Sequence, residues 1–160
     1  MNRVDLNSLA SSPLFLGLSK DDMRELEARF HPRSIGEGMT VFVENMPGEC
    51  LYLIQSGVVK ISKMLSEGEE RILVILGPED VFGEMALLDG AARSATARVA
   101  ESATLLALKR QDFEELCEHN PRLGLQLIRN IVRVFSQRVR NNNDEYRDMM
   151  LWALGKKGKP

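Results

Sequence analysis

Between positions 35 and 76 the chain never runs far without a glycine, and this limits its fold more than any other feature. Apolar, β-favouring runs at 40–43, 51–54, 58–61 and 72–76 are separated by Gly36, Gly38, Gly48, Gly57, Gly68 and Gly77. Val, Ile, Tyr and Phe suit extended backbone, while glycine suits the turns between short strands. Two further strand-like runs, 95–100 and 104–108, follow an interruption at 82–92. Many short strands at fairly even intervals predict a small antiparallel sandwich or barrel-like roll.

Helical patterns flank this region. Ser19 is placed to N-cap a helix over 20–30, in which Met23, Leu26, Ala28 and Phe30 recur at helical spacing among acids and bases. Ahead of it, Pro13, Leu14, Phe15 and Leu16 form an apolar knot, read as a turn or short helix packed on the domain. After Leu108, residues 112–118 suit a short helix, and Asn120-Pro121 opens a longer one. Its main apolar stripe is Ile128, Val132, Phe135, Val139, Tyr146 and Met149, with Asn142 inside it. A second stripe, Leu127, Ile131 and Val134, accompanies only the first half. The long helix is therefore expected to pack on the roll early and meet another partner later.

At 160 residues there is room for one domain that buries its own core. A net charge of -2 argues against broad attraction to nucleic acid or anionic membrane. Cys50 and Cys117 cannot supply a zinc or iron-sulfur set, and the isolated His31 and His119 read as surface or capping residues, so no metal is expected. The start, MNRVDLNSLASS, lacks a signal-peptide core, and no apolar run approaches a membrane span. With unpaired cysteines, this predicts a cytoplasmic protein. Lys156, Lys157 and Lys159, set among Gly155, Gly158 and Pro160, read as a frayed tail over 151–160.

The interruption between strands carries the chemistry. It reads FGEMALLDGAARSAT from Phe82 to Thr96. Gly83 permits close approach of backbone to a ligand, and 84–88 can form a helical turn whose free N–H groups attract an anion. Arg93, after the Asp89-Gly90 turn, can bring a guanidinium to the same anion in a bidentate contact. Glu84 would be repelled by a phosphate, so in a binding site it must accept hydrogen bonds from hydroxyls, as on a ribose. Spacing alone equally allows Glu84 as a first-turn helix residue, Arg93 as a surface charge and Asp89-Gly90 as a plain connection.

The same fifteen residues resemble the phosphate-binding cassette of the cyclic-nucleotide-binding domain family, to which catabolite activator proteins and cAMP-dependent kinase regulatory subunits belong. The stretch IGEGMTVFVENMPGECLYLIQSGVVKI resembles that family's β-roll, so the similarity spans about residues 10–145. It implies an α+β fold: an antiparallel, jelly-roll-like β-roll (a double-stranded β-helix) between N-terminal and C-terminal helices. It also implies roles: Glu84 with the Gly83 backbone on the ribose, Arg93 on the cyclic phosphate, and backbone N–H groups of Ala86 and Ser94 beside it. The Ser94 hydroxyl is a further donor and does not choose between cAMP and cGMP. Val74 and Leu76, alternating on the preceding strand, would line the base pocket, with ordinary core packing as the rival reading. Ala92 departs from the pattern, since many members carry proline before the arginine.

In this family the last helix commonly forms a dimer contact and closes over the base. Arg138, Asn141 and Asn142 are then candidates to reach the base, and a stripe interrupted by Asn142 suits a two-stranded seam. The expected organisation is a helical segment 1–30, a roll 31–109 holding the cassette 82–96, helices 110–150 and the tail. The length leaves no room for the DNA-binding domain of the family's transcription factors, and no nucleophile with base and oxyanion donors emerges. The expectation is therefore a non-enzymatic cAMP or cGMP sensor without cofactor, homodimeric through its last helix and signalling to an effector protein. The alternative is an interaction protein with the same fold and an empty or different pocket, against which Glu84 and Arg93 count.

Overall fold

A computed structural model describes residues 4–156. Single-turn 3-10 helices at Asn7–Leu9 and Pro13–Phe15 precede α1 (Lys20–Glu27). Strands β1 (Phe30–Ile35), β2 (Thr40–Phe42), β3 (Cys50–Ser66), β4 (Glu69–Leu76) and β5 (Val81–Phe82) follow. Then come α2 (Glu84–Asp89), β6 (Thr96–Lys109), α3 (Arg110–His119) and α4 (Pro121–Ala153). The six strands form one antiparallel sheet in the order β1-β6-β3-β4, with β2 also on β6 and β5 on β3. Helices flank the sheet in sequence, so the fold is the α+β β-roll that the family resemblance implies.

The runs 51–54 and 58–61 belong to one 17-residue strand, and 95–100 and 104–108 fall almost wholly within one 14-residue strand. Register shifts between Ile54 and Val59 bend this pair. Gly57 lies inside the bend with φ +87°, and a Cβ there would stand 2.5 Å from the Ala103 Cα. The glycine that reads as a turn between strands is thus a bulge within one strand, where another backbone comes close.

Side-chain alternation explains why both faces of these strands are apolar. Leu51, Leu53, Leu106 and Leu108 point to a core shared with the helices, including Leu14, Phe15, Leu26, Leu116, Leu123 and Leu127. Tyr52, Ile54, Leu105 and Ala107 point the other way, into the roll, with Val59, Phe82, Ala97 and Val99. A strand covered on both faces loses the polar alternation of a half-exposed one.

Helix α1 ends at Glu27, earlier than its pattern predicts, and Phe30 instead opens β1 opposite Leu108. Pro32 disfavours helical backbone at His31 and is tolerated because β1 pairs only with β6. The start of α1 follows expectation: Ser19 Oγ accepts from the Asp22 N–H while Asp22 accepts from the Ser19 N–H. Burial pushes the Asp22 carboxyl up, but hydrogen bonds from Arg122 and Ser19 outweigh this and hold it below its ordinary range.

Helix α4 is capped by the Asn120 side chain, which accepts from the Leu123 N–H. Its first half is buried through Leu123, Gly124, Leu127, Asn130 and Ile131. Asn130, fully buried, donates to Leu14 O at 2.8 Å and Leu16 O at 2.9 Å. Beyond Ile131, the stripe through Val132, Phe135, Val139, Tyr146 and Met149 is exposed. The helix runs past position 150 to Ala153, so 151–153 are helical, while 157–160 of the expected tail lie outside the described residues. Among the described residues, no helix is long and apolar enough to cross a membrane.

Gly57→Ala combines a left-handed φ with a backbone clash. It is expected to destabilise the protein by at least about 1–3 kcal/mol, measured by urea unfolding.

Candidate functional site

Helix α2 has six residues, too few to be stable alone. It is bounded by Gly83 and Gly90, both left-handed with φ +76° and +71°. Three arginines from different elements hold the backbone at and around it. Arg93 Nη1 donates to Gly83 O at 3.1 Å and its Nη2 to Cys50 O at 2.9 Å. Arg110, the first residue of α3, donates to Ala86 O and, at 3.3 Å, to Gly48 O. Arg138 of α4 donates to Val81 O and pairs with Glu84 Oε1 at 3.2 Å.

Arg93 is only 5% exposed. Its Cζ lies 4.0 Å from the Phe42 ring centre and 5.9 Å from that of Tyr52, a cation–π arrangement inside an aromatic cluster completed by Phe82. Burial pulls the Arg93 pKa down, against the fields of Tyr52, Cys50 and Glu84, which raise it. Burial likewise pushes the Tyr52 hydroxyl up. Arg93 Nε is buried and has no hydrogen-bond partner among the described residues. Gly48 makes room for this seat, since a Cβ there would collide with Nε.

A cavity of about 400 Å³ opens beside α2, between the roll and α4. It brings together most of the residues singled out from sequence. Gly83, Glu84, Ala86, Arg93 and Ser94 line it from the cassette, and Arg138, Asn141 and Asn142 from α4. Glu84 is 6% exposed, and the Ser94 hydroxyl is spent on a long 3.6 Å contact with Met85 Sδ. Val74 lines the cavity, but Leu76 does not: it is 4% exposed within the interior core of the roll. Leu73 takes a place at the wall instead. Ile61 pairs with Val74 and Ser62 with Ile72, so Leu73 is the extra residue of a bulge and turns toward the cavity beside Val74.

Other lining residues had no signal of their own in the sequence. Phe42 and Lys63 come from the roll and Glu145 from α4, while Phe135 and Val139 belong to the stripe read as a partner surface. Arg110 was invisible for the same reason: nothing local marks a strand-to-helix arginine as the holder of a carbonyl 24 residues away. The two histidines lie apart from this site. His31 Nε2 is 2.9 Å from Asp112, and His119 Nδ1 is 2.8 Å from Glu115 O at the end of α3.

Residues 32–120 match the family model described as the cyclic nucleotide-binding domain. The chain is 33% identical over 154 residues to a protein named cyclic AMP receptor protein from Thermus thermophilus, covering 91% of this chain and 69% of that one. It is 31% identical over 142 residues to a CRP-like cAMP-activated global transcriptional regulator of Mycobacterium tuberculosis, covering 89% of this chain but 62% of the relative. The structure resembles the Thermus thermophilus catabolite activator protein with a TM-score of 0.77, at 34% identity, over 88% of this chain and 64% of that chain. It resembles the regulatory domain of Toxoplasma gondii PKA, solved with cAMP, at a TM-score of 0.62 and 37% identity, over 68% and 41% of the two chains. This chain belongs to the cyclic nucleotide-binding domain family. It spans about three-fifths to two-thirds of the length of the two regulators compared.

Gly48→Ala is expected to push Arg93 from its seat at a cost of about 1–3 kcal/mol, as overpacking does. A lowered melting temperature, with shifts in the ring resonances of Phe42 and Tyr52, checks this.

Proposed function

We propose that this protein is a cyclic-nucleotide sensor that reports ligand through α4. The observation that carries the reading is the Glu84–Arg138 pair, which joins the cassette to α4 at the cavity wall. Glu84, as the ribose acceptor, is already engaged by a guanidinium. Ribose hydroxyls that donate to Glu84 compete with Arg138, so binding changes what holds α4. A ligand moves such an equilibrium only by its difference in affinity for the two arrangements, and this competition supplies the difference.

The cyclic phosphate would lie against the backbone N–H groups of Ala86 and Ser94, with Arg93 supplying positive charge from the aromatic cluster. The base would enter between Val74 and Leu73 on one side and Asn141 and Asn142 on the other. Both asparagine amides donate and accept, so they suit adenine and guanine alike; the cAMP in the relatives' names favours adenine. The apolar surface of α4 beyond Ile131 fits a homodimer seam, with an effector protein receiving the change in α4.

Titration calorimetry with cAMP and cGMP tests the reading. Binding of at least one is expected, and absence of both at millimolar concentration, by folded protein, sinks it. Arg93→Ala is expected to weaken binding by about 1.5–3 kcal/mol, or roughly tenfold to a hundredfold. Unchanged affinity would place the phosphate elsewhere.

Arg138→Met removes the link between Glu84 and α4. The nucleotide is then expected to bind without changing the signal of a fluorescent probe at position 146, which does respond in the parent protein.

A further inference from the structure

One cation on the cavity wall comes from neither the cassette nor α4. Lys63 stands on β3, two residues beyond Ile61, and both line the cavity. Its Nζ donates to Ser94 O at 3.0 Å and pairs with Glu44 Oε1 at 2.9 Å. Glu44 is itself held: its Oε2 accepts from the Met64 N–H at 3.3 Å, and its own N–H donates to Thr96 Oγ1 at 3.0 Å. The hydrogen bond from Lys63 and that from Met64 keep the Glu44 carboxyl below its ordinary range. Glu44, held through its backbone to β6 and through its carboxylate to β3, thus aims a half-exposed lysine at the residue that follows Arg93.

Two further observations bear on what the lysine meets there. An ammonium has three donors, and protein oxygens take two of those of Lys63, leaving one for a ligand. The charged lining residues are Lys63, Arg93 and Arg138 against Glu84 and Glu145. Glu44, which pairs with Lys63, stands outside the lining and balances it before any ligand enters. Arg93, moreover, already donates to Gly83 O and Cys50 O.

We propose that Lys63 is a ligand-contacting residue that places a second cation on the cyclic phosphate, alongside Arg93. The proposal rests on the cyclic-nucleotide reading above and adds a residue to it. Lys63 bonds to Ser94, next to the phosphate donors, which favours phosphate over the acceptor edge of the base. Because it acts through charge, its effect is the same for both bases and weakens with salt.

The test is calorimetry of the full chain with cAMP and with cGMP, at low and high salt, for the parent, Lys63→Gln and Lys63→Arg. Lys63→Gln is expected to weaken both nucleotides by a common factor of roughly five to ten, between an exposed ion pair and a charge-assisted hydrogen bond. Its salt dependence is expected to be shallower than the parent's, while Lys63→Arg, which also serves as the folding control, keeps most of the affinity. Unchanged affinity in Lys63→Gln overturns the proposal. A loss confined to one nucleotide assigns the lysine to the base instead, and an equal loss in Lys63→Arg shows that charge is not what the site uses. Failure of the parent to bind either nucleotide removes the sensor reading itself, and this proposal with it.

Discussion

A six-residue helix cannot hold its own ends, and the arrangement of this protein follows from how α2 is held instead. The carbonyls of Val81 and Gly83 before it and of Ala86 within it accept from Arg138, Arg93 and Arg110. These arginines belong to α4, to the loop before β6, and to α3. Guanidinium is suited to the task because it stays charged and offers several donors in a fixed plane. A single short element thereby becomes the junction of the roll, the connecting helix and the long helix. The glycines around it make that junction possible, since Gly48, Gly83 and Gly90 stand where any Cβ would strike one of these arginines.

Helix α4 serves two purposes along one axis. Up to Ile131 it is part of the core, anchored by Leu123, Leu127 and the bonds from Asn130 to the carbonyls of Leu14 and Leu16. Beyond that point its hold on the domain is polar and local, chiefly Arg138 on Glu84 and Val81 and Arg71 on Met149. Most apolar residues of the distal half are exposed, so burial does little to fix that half in place. Hydrophobic burial is worth about 25 cal/mol per Å² of apolar surface, whereas a single charged pair at a partly open site is worth less and is easily exchanged for another. A buried first half and an exposed second half are what the role proposed for α4 requires.

Much of the site was legible because it lies in one contiguous stretch. Gly83, Glu84, Ala86, Arg93 and Ser94 fall within fifteen residues, and all line the cavity. The residues supplied from other elements were harder to read. A bulge opposite Ile61 and Ser62 brings Leu73 to the wall beside Val74, while Leu76, in regular register two residues beyond Val74, lies within the core of the roll. Lys63 and Arg110 carry no local mark, and the stripe through Phe135 and Val139 proved to be cavity wall as well as free surface. Helical spacing continues through Phe30, yet α1 ends at Glu27, because strand pairing with Leu108 and the proline at position 32 decide otherwise.

The glycine-spaced β runs, the apolar periodicity of the flanking helices and the fifteen-residue cassette were determined by the sequence alone. The runs and the periodicity depend on conformational preferences and side-chain periods that operate within a few residues, whereas the cassette is marked by its resemblance to a family motif. Tertiary structure decided the rest. It joined separate runs into two long bent strands, turned Gly57 from a turn into a bulge, and brought Arg110 and Lys63 to the cassette. Most consequentially, it seated Arg93 against Phe42 and Tyr52 and set Arg138 on Glu84. These contacts join residues tens of positions apart. Their energy depends on burial and on which carbonyls lack other partners, and neither is defined until the chain has closed.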